Sequence, residues 1–309
     1  MTFDQCAAGY IAAHRAGWRN TKHASQWKNT LATYVSPVFG KLAVRAIDVG
    51  PVIKALEAIW SAKPETASRV RGRIEAVLDW AAARGFRDAE NPARWKGRLD
   101  KLLPRRSKVR AVAHHAALPY DKIGSFMVEL REREGVAARA LEFAILTASR
   151  TGEVLGAQWS EIDFEAKVWT VPAGRMKGGR EHRIPLANPA MVVLKQMAKL
   201  REGDHVFPGD RRAMLSNMAL LMLLRRMGHG DLTAHGFRST FRDWAAERTN
   251  FPNEVVEMAL AHAISDKTEA AYRRGDLFEK RRKLMEAWAA YCQKPTAIVG
   301  KVIALNSMR

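Results

Sequence analysis

Residues 104–119 limit most what this chain can become. The run Pro104-Arg105-Arg106-Ser107-Lys108-Val109-Arg110 has no apolar periodicity, and Leu118-Pro119 closes the stretch. A basic, proline-flanked segment between helical patterns reads as a linker. The chain is therefore expected to form two domains, 1–103 and 120–291, joined by 104–119 and followed by a tail at 292–309. Its 309 residues agree with two domains at about 150 residues each. Four of the seven residues from Pro104 to Arg110 are Lys or Arg. Arg105, Arg106, Lys108 and Arg110 are thus placed to follow a phosphate backbone as well as to link.

The first region reads as helices. Between Pro64 and Arg84, the apolar residues Ala67, Val70, Ile74, Val77, Leu78 and Ala81 recur at helical spacing. Pro64 suits a first turn, Glu65 suits the positive helix end, and Gly85 is placed to end the helix. Arg69, Arg71 and Arg73 lie mainly off the apolar stripe, where they would meet phosphates while the other face packs. Phe3–Arg15, Ser25–Tyr34 and Val49–Trp60 show similar patterns. Trp18, Trp27, Trp60, Trp80 and Trp95 are expected to fill the core, with base stacking a lesser alternative.

Beyond the linker, helical patterns cover Lys122–Arg133 and Val136–Ala148, and then the period changes. Ile162–Phe164, Val168–Val171 and His182–Leu186 are β-like, and the glycines of Arg175-Met176-Lys177-Gly178-Gly179-Arg180 mark a turn. Helical patterns resume at Pro189–Arg201, Arg212–Met227, Gly236–Arg248, Pro252–Ala261, Lys267–Arg274 and Asp276–Tyr291. The expected class is mainly α with a small antiparallel β-sheet.

Charge narrows the partner. Lys and Arg number 51 against 32 Asp and Glu, a net +19, with 21 of the cations against 9 of the anions in residues 1–110. Such a surplus repels itself unless a polyanion is the working partner. No helix pairs a bulky apolar face with a purely basic one, as binding to anionic lipid would ask. Nucleic acid, with steeply salt-dependent binding, is the favoured reading. The two cysteines, Cys6 and Cys292, make no disulfide framework, which points to a reducing compartment. The N-terminus lacks a signal-peptide pattern, and the most apolar stretch, Met214–Leu224, is too short to span a bilayer. A cytoplasmic, nucleoid-associated protein without membrane contact is expected.

Metal chemistry finds little support in the sequence. The nine histidines form no His-x-His pair, and neither cysteine stands in a Cys-x-x-Cys spacing. No phosphate-binding loop of the Gly-x-x-x-x-Gly-Lys-Ser/Thr type occurs. Neither metal nor cofactor is expected. A mechanism without them needs cationic side chains at the phosphate and a side-chain nucleophile. His235-Gly236-Phe237-Arg238 puts imidazole and guanidinium on one helix face near its positive end. Taken singly, this pair equals a solvated helix face, Arg150 a capping residue, Lys177 a turn residue and Tyr272 a half-buried aromatic.

Taken together, in order, they are more specific. The succession Arg150, Lys177, His235-x-x-Arg238, His262 and Tyr272 resembles the tyrosine recombinase (phage integrase) family, in particular its prophage and genomic-island branch. Leu146–Val154, Arg175–Lys177 with His182–Leu186, Thr233–Arg238, and Leu260–His262 with Ala270–Tyr272 carry the resemblance. It spans nearly the whole chain, from Thr2 to about Tyr291. It implies a helical core-binding domain and a catalytic domain that grip opposite sides of a duplex.

The resemblance also implies roles. Arg150 and Arg238 would hold the scissile phosphate, and His235 and His262 would hydrogen-bond it. His235 is the better candidate to accept the tyrosine proton. Tyr272 would attack phosphorus to leave a 3′-phosphotyrosine, and Lys177 would protonate the departing 5′ oxygen. Lys167 also lies in the sheet region, but the turn favours Lys177. Glu153 would brace Arg150. Ala261 stands where many family members have glycine. Relatives in this branch often carry a further N-terminal domain for arm-type sites, and this chain begins about where the core-binding helices are expected.

The implied reaction integrates or excises a mobile element within a homotetrameric synapse, with DNA-bending accessory proteins as possible helpers. The apolar tail residues 298–305 would dock on a neighbour or pack on their own domain. Two rival readings are a type IB topoisomerase, separable by a relaxation assay, and a non-catalytic DNA-binding protein, separable by covalent attachment to a nicked duplex.

Overall fold

The computed structural model describes residues 1–18, 21–88, 90–109, 116–209, 213–262 and 275–294. The chain divides into two compact units, 1–113 and 114–309.

The first unit is built from α1 (Phe3–His14), α2 (Thr21–Tyr34), α3 (Val49–Trp60), α4 (Pro64–Ala83) and the short α5 (Arg106–Val109). Local chemistry sets the starts. The Gln5 amide donates to the Thr2 hydroxyl while the Thr2 amide donates to the Gln5 side chain at 2.9 Å, a reciprocal cap. The Asp48 carboxylate accepts from the Gly50 amide at 2.9 Å at the head of α3. All six apolar stripe residues of α4 are buried, and Gly85 ends that helix in the left-handed region at φ +72°. Phe3 meets Phe39 edge to face at 4.9 Å. Trp27 and Trp60 are buried in this core, and Trp18, Trp80 and Trp95 pack against it.

The start of the basic segment is ordered on this unit. The Trp60 indole donates to the Pro104 carbonyl at 2.9 Å, Arg106 pairs with Glu65, and Val109 packs against the core. A helix of four residues is too short to display a 3.6-residue period, which is why the sequence reads only as a linker there.

The second unit starts with α6 (Ile123–Arg131), α7 (Val136–Thr147) and α8 (Thr151–Leu155). A three-stranded antiparallel sheet follows, β1 (Ile162–Asp163), β2 (Val168–Val171) and β3 (His182–Pro185), ordered β1-β2-β3. Trp169 pairs with Ile184, and Val171 with His182. Then come α9 (Asn188–Ala198), α10 (Ala219–Arg226), α11 (Gly236–Arg248), α12 (Asn253–Ala259) and α13 (Phe278–Cys292).

Helix α7 is buried nearly all round and packs against α6, α8, α9, α10, α11 and α13, so it forms the axis of this unit. Its buried Glu142 is neutralised by Arg131 at 2.7 Å and Arg139 at 2.8 Å. The Trp288 indole donates to the Ile145 carbonyl at 2.8 Å, which pins α13 to that axis.

The helix expected from Arg212 begins instead at Ala219. Met214 pairs with Pro208 in an isolated β-bridge, and the Ser216 hydroxyl accepts from the Met218 amide at 3.2 Å, so backbone and side chain both compete with helix there. The helix expected at Lys267–Arg274 lies outside the described residues. Among the described residues, no helix is long and apolar enough to cross a membrane.

Candidate active site

The site is assembled at the ends of four helices, α7, α8, α11 and α12. Helix α7 stops at Ala148, which takes the left-handed conformation (φ 50°, ψ 28°) and turns the chain towards Arg150. Arg150 caps α8: its amide donates to Glu153 Oε2 at 2.9 Å and its Nη1 to Oε1 at 2.8 Å. Glu153 is buried, so both its oxygens are spent on orienting Arg150.

The Arg150 Nη2 then reaches the end of α12, donating to the carbonyls of Leu260 (3.3 Å) and Ala261 (3.0 Å). Arg238, buried on α11, donates to the Ala148 carbonyl through Nη1 and to the Leu260 carbonyl through Nη2 at 2.6 Å. Two guanidinium groups thus meet on one carbonyl oxygen. Terminal helix carbonyls lack intrahelical donors, and here the cations supply them. Burial, and then the nearby Arg150 charge, push Arg238 down to about 10, against the pull of Glu153 and Glu257. It stays charged at neutral pH.

A closed chain of side chains follows. Arg238 Nη2 donates to His262 Nε2 at 3.2 Å, His262 Nδ1 meets Glu257 Oε2 at 2.6 Å, and Glu257 Oε1 accepts from Arg242 Nε at 2.7 Å. Burial pushes the Glu257 carboxyl up, but the bonds and charges of Arg242 and His262 outweigh it and hold it below the ordinary value. Ala261, before His262, is left-handed at φ 49°. That conformation suits glycine best and explains why glycine is the common residue at such a position.

From the sheet, His182 hydrogen-bonds the Ala259 carbonyl. Burial drives its imidazole down to about 4, Arg281 and Arg150 push the same way, and Glu153 opposes them. Three successive carbonyls, 259 to 261, are therefore held by His182, Arg150 and Arg238.

His235 is exposed at the head of α11, one turn before Arg238. Gly236 beside it permits a close approach: a Cβ there would lie 2.3 Å from the Ala116 carbonyl oxygen. Lys177 is exposed on a turn closed by the Gly179 amide and the Met176 carbonyl at 3.0 Å. Arg175 ties that turn to Glu161 and to the Glu153 carbonyl. Lys167 is engaged elsewhere, donating to Asn188 Oδ1 at 3.1 Å. Tyr272 lies outside the described residues. Just after it in sequence, Asp276 is gripped by Arg183 and by the fully buried Arg281, each at 2.8 Å.

The cations expected on DNA divide into two sets. Arg71 is committed to Glu75 (2.6 Å) and the Ala93 carbonyl (3.0 Å), and Arg73 donates to the Gln26 carbonyl at 2.7 Å with its guanidinium over Trp27. Both serve the unit's own packing, because their long stems fold back along α4 onto neighbouring segments. Arg69 is exposed beside Glu65 at 3.2 Å, Arg106 pairs with Glu65, and Arg105 and Lys108 are exposed. Arg110 lies outside the described residues.

Sequence reasoning missed His182, Arg175, Arg242, Glu257 and Arg281. Arg242 left a signal, standing four residues after Arg238 on the same helix face. Glu257 stands five residues before His262, a spacing with no periodic meaning across a helix end. His182 and Arg175 stand within motif stretches, but the sequence assigns neither a role.

Residues 3–98 match the phage integrase central domain, and residues 118–277, more than half of the chain, match the phage integrase family. The chain belongs to the phage integrase family. It is 30% identical over 293 residues to the prophage integrase IntZ of Escherichia coli K12, covering 93% of this chain and 70% of that protein. To the prophage integrase IntA of the same strain it is 29% identical over 287 residues, covering 88% and 67%. The fold is similar to that of a lambda integrase tetramer bound to a Holliday junction, with a TM-score of 0.68, 15% identity, and coverage of 86% and 79%. As a phage integrase family member, the protein is a site-specific tyrosine recombinase.

Proposed function

We propose that this recombinase cleaves and rejoins double-stranded DNA through a 3′-phosphotyrosine on Tyr272, integrating or excising a mobile element. The observation that carries the reading is the meeting of Arg150 and Arg238 on the Leu260 carbonyl, 3.3 and 2.6 Å away. Two cations held this close repel each other, Glu153 and Glu257 only partly offset that at Arg238, and a phosphate placed on their open side relieves the repulsion. Guanidinium suits the task because it is planar and permanently charged. Negative charge grows on the non-bridging oxygens as Tyr272 Oη bonds to phosphorus, so donors fixed in advance favour the transition state.

The electron count closes on side chains alone. The Tyr272 hydroxyl gives its proton to His235, forms the O–P bond, and the P–O5′ bond breaks. Lys177 supplies the proton that the 5′ oxygen takes. The exposed turn lets its ammonium reach that oxygen. His262 joins at the phosphate as donor after its ring takes a second proton, since Nε2 accepts from Arg238 in the DNA-free chain. The phosphotyrosine conserves the bond energy of the phosphodiester, so a 5′ hydroxyl from a second duplex reseals the strand without ATP.

Arg69, Arg105 and Lys108 are the phosphate contacts of the first unit best supported by their exposure. The likeness to a tetramer bound to a Holliday junction supports a homotetramer on two duplexes. DNA-bending proteins in the nucleoid would assist that assembly. A paired-site recombination assay run beside a supercoil-relaxation assay tests the reading. Wild type exchanges flanks between the two sites, and Tyr272→Phe does not. Relaxation without exchange overturns it.

A further inference from the structure

We infer that Glu257 is a positioning residue for His262, fixing the imidazole as its Nδ1–H tautomer so that Nε2 faces the phosphate-gripping Arg238. The inference rests on the recombinase reading for its consequence but on the DNA-free geometry for its content.

Three contacts define the ring's state. Arg238 is only a donor, so the 3.2 Å contact from its Nη2 makes His262 Nε2 an acceptor, without a proton. The proton of the neutral ring then sits on Nδ1, where Glu257 Oε2 takes it at 2.6 Å. Glu257 is itself prevented from turning by Arg242 Nε at 2.7 Å on its other oxygen. Arg238 and Arg242 come from successive turns of α11, and Glu257 comes from α12. The pair of helices therefore clamps the ring at both nitrogens.

The Nδ1–H form is not the one a free imidazole prefers; the Arg238 donor disfavours a proton on Nε2, and the Glu257 carboxylate is the contact that draws the proton to Nδ1. Among the described residues, the groups bonded to the ring are Arg238 from α11 and Glu257 from α12, while Arg242 from α11 holds Glu257 and Arg150 shares the neighbouring Leu260 carbonyl. A carboxylate behind Nδ1 has a second consequence. When a phosphate displaces the Arg238 contact, Nε2 has to donate, and the doubly protonated ring that can do so keeps its Nδ1–H bond to Glu257 unchanged. The ring plane is thus the same in both states.

The primary test is nitrogen-15 NMR of the full DNA-free chain labelled at histidine, with the His262 signals assigned by their loss in His262→Gln. Wild type is expected to show a protonated Nδ1 and a bare Nε2 at His262. Glu257→Gln, which keeps an acceptor oxygen, retains that pattern, and Glu257→Ala reverts to Nε2–H. A wild-type ring protonated at Nε2, or an unchanged tautomer in Glu257→Ala, overturns the inference.

The second readout is covalent attachment to a nicked duplex carrying the recombination site, at saturating DNA. Glu257→Ala is expected to slow attachment about 10- to 100-fold without loss of DNA affinity, as misplacement of a supporting group does. Glu257→Gln recovers most of the rate, and Glu257→Ala adds nothing in a His262→Ala background. Independent, multiplicative losses would overturn the proposal, because they would show Glu257 acting other than through His262. If wild type forms no adduct, the recombinase reading fails while the tautomer measurement still stands or falls alone.

Discussion

His182 offers the sharpest quantitative consequence of the site's construction. Its imidazole falls from the ordinary 6.5 to about 4 because burial and the charges of Arg281 and Arg150 disfavour a cation there. In the unfolded chain the same ring takes its proton near its ordinary value. Between the two, the unfolded state binds more protons than the folded one, so stability falls as pH drops through that window. The depressed base thus contributes fully above about 6.5 and has lost its contribution below about 4. A shift of that size corresponds to about 3 kcal/mol. His182→Gln keeps a polar group beside the Ala259 carbonyl and does not titrate. Urea unfolding of both proteins between pH ~7.5 and pH ~4 gives the wild-type minus variant difference, in which the other titrating groups cancel. That difference is expected to fall by about 3 kcal/mol over the range. A difference that stays flat would refute the reasoning, since it would mean that His182 is solvated or carries its proton in the folded state.

Other consequences follow from single contacts. In Gly236→Ala the new Cβ would sit 2.3 Å from the Ala116 carbonyl oxygen, so the head of α11 must shift. Thermal unfolding should report a loss of about 1–3 kcal/mol, together with slower covalent attachment to DNA. Ala261→Gly removes left-handed strain of about 1–2 kcal/mol at the cost of a more flexible unfolded chain, for a net gain of up to about 1 kcal/mol in urea unfolding. A clear loss would contradict the strained backbone at φ 49°. Asp276→Ala leaves the fully buried Arg281 guanidinium without its carboxylate, and urea unfolding should show a loss of about 2–3 kcal/mol. Adduct formation in the same variant at low denaturant separates that loss from any effect on the chemistry.

Helix-forming stripes were the most legible part of the sequence. The six apolar residues of α4 recur at helical spacing and are all buried. The loss of that period around residues 162–186 marked the sheet, whose three strands fall within the three β-like stretches. Helix α10 was overextended, because an apolar run containing Ser216 looks helical until the side-chain hydroxyl and the Pro208–Met214 bridge are known. Arg150, Glu153, Arg238 and His262 were legible as motif residues, and they do come together. What joins them was not. Backbone carbonyls of Ala148, Leu260 and Ala261 hold the guanidiniums, and any residue type can offer a carbonyl. Arg71 and Arg73 look the same in sequence as Arg69, and only the folded neighbours Glu75 and Gln26 distinguish bracing from exposure.

The central claim is that separated side chains converge on one phosphorus atom and that Tyr272 takes a place in the DNA backbone. A nicked duplex carrying the recombination site, which traps the cleaved strand, tests it most directly when the protein–DNA adduct is digested and sequenced by mass spectrometry. The nucleotide should be found on Tyr272 in wild type, with no adduct in Tyr272→Phe and strongly reduced adduct in Arg150→Ala and Arg238→Ala. A nucleotide attached to any other residue, or an adduct that survives Tyr272→Phe, would contradict the account.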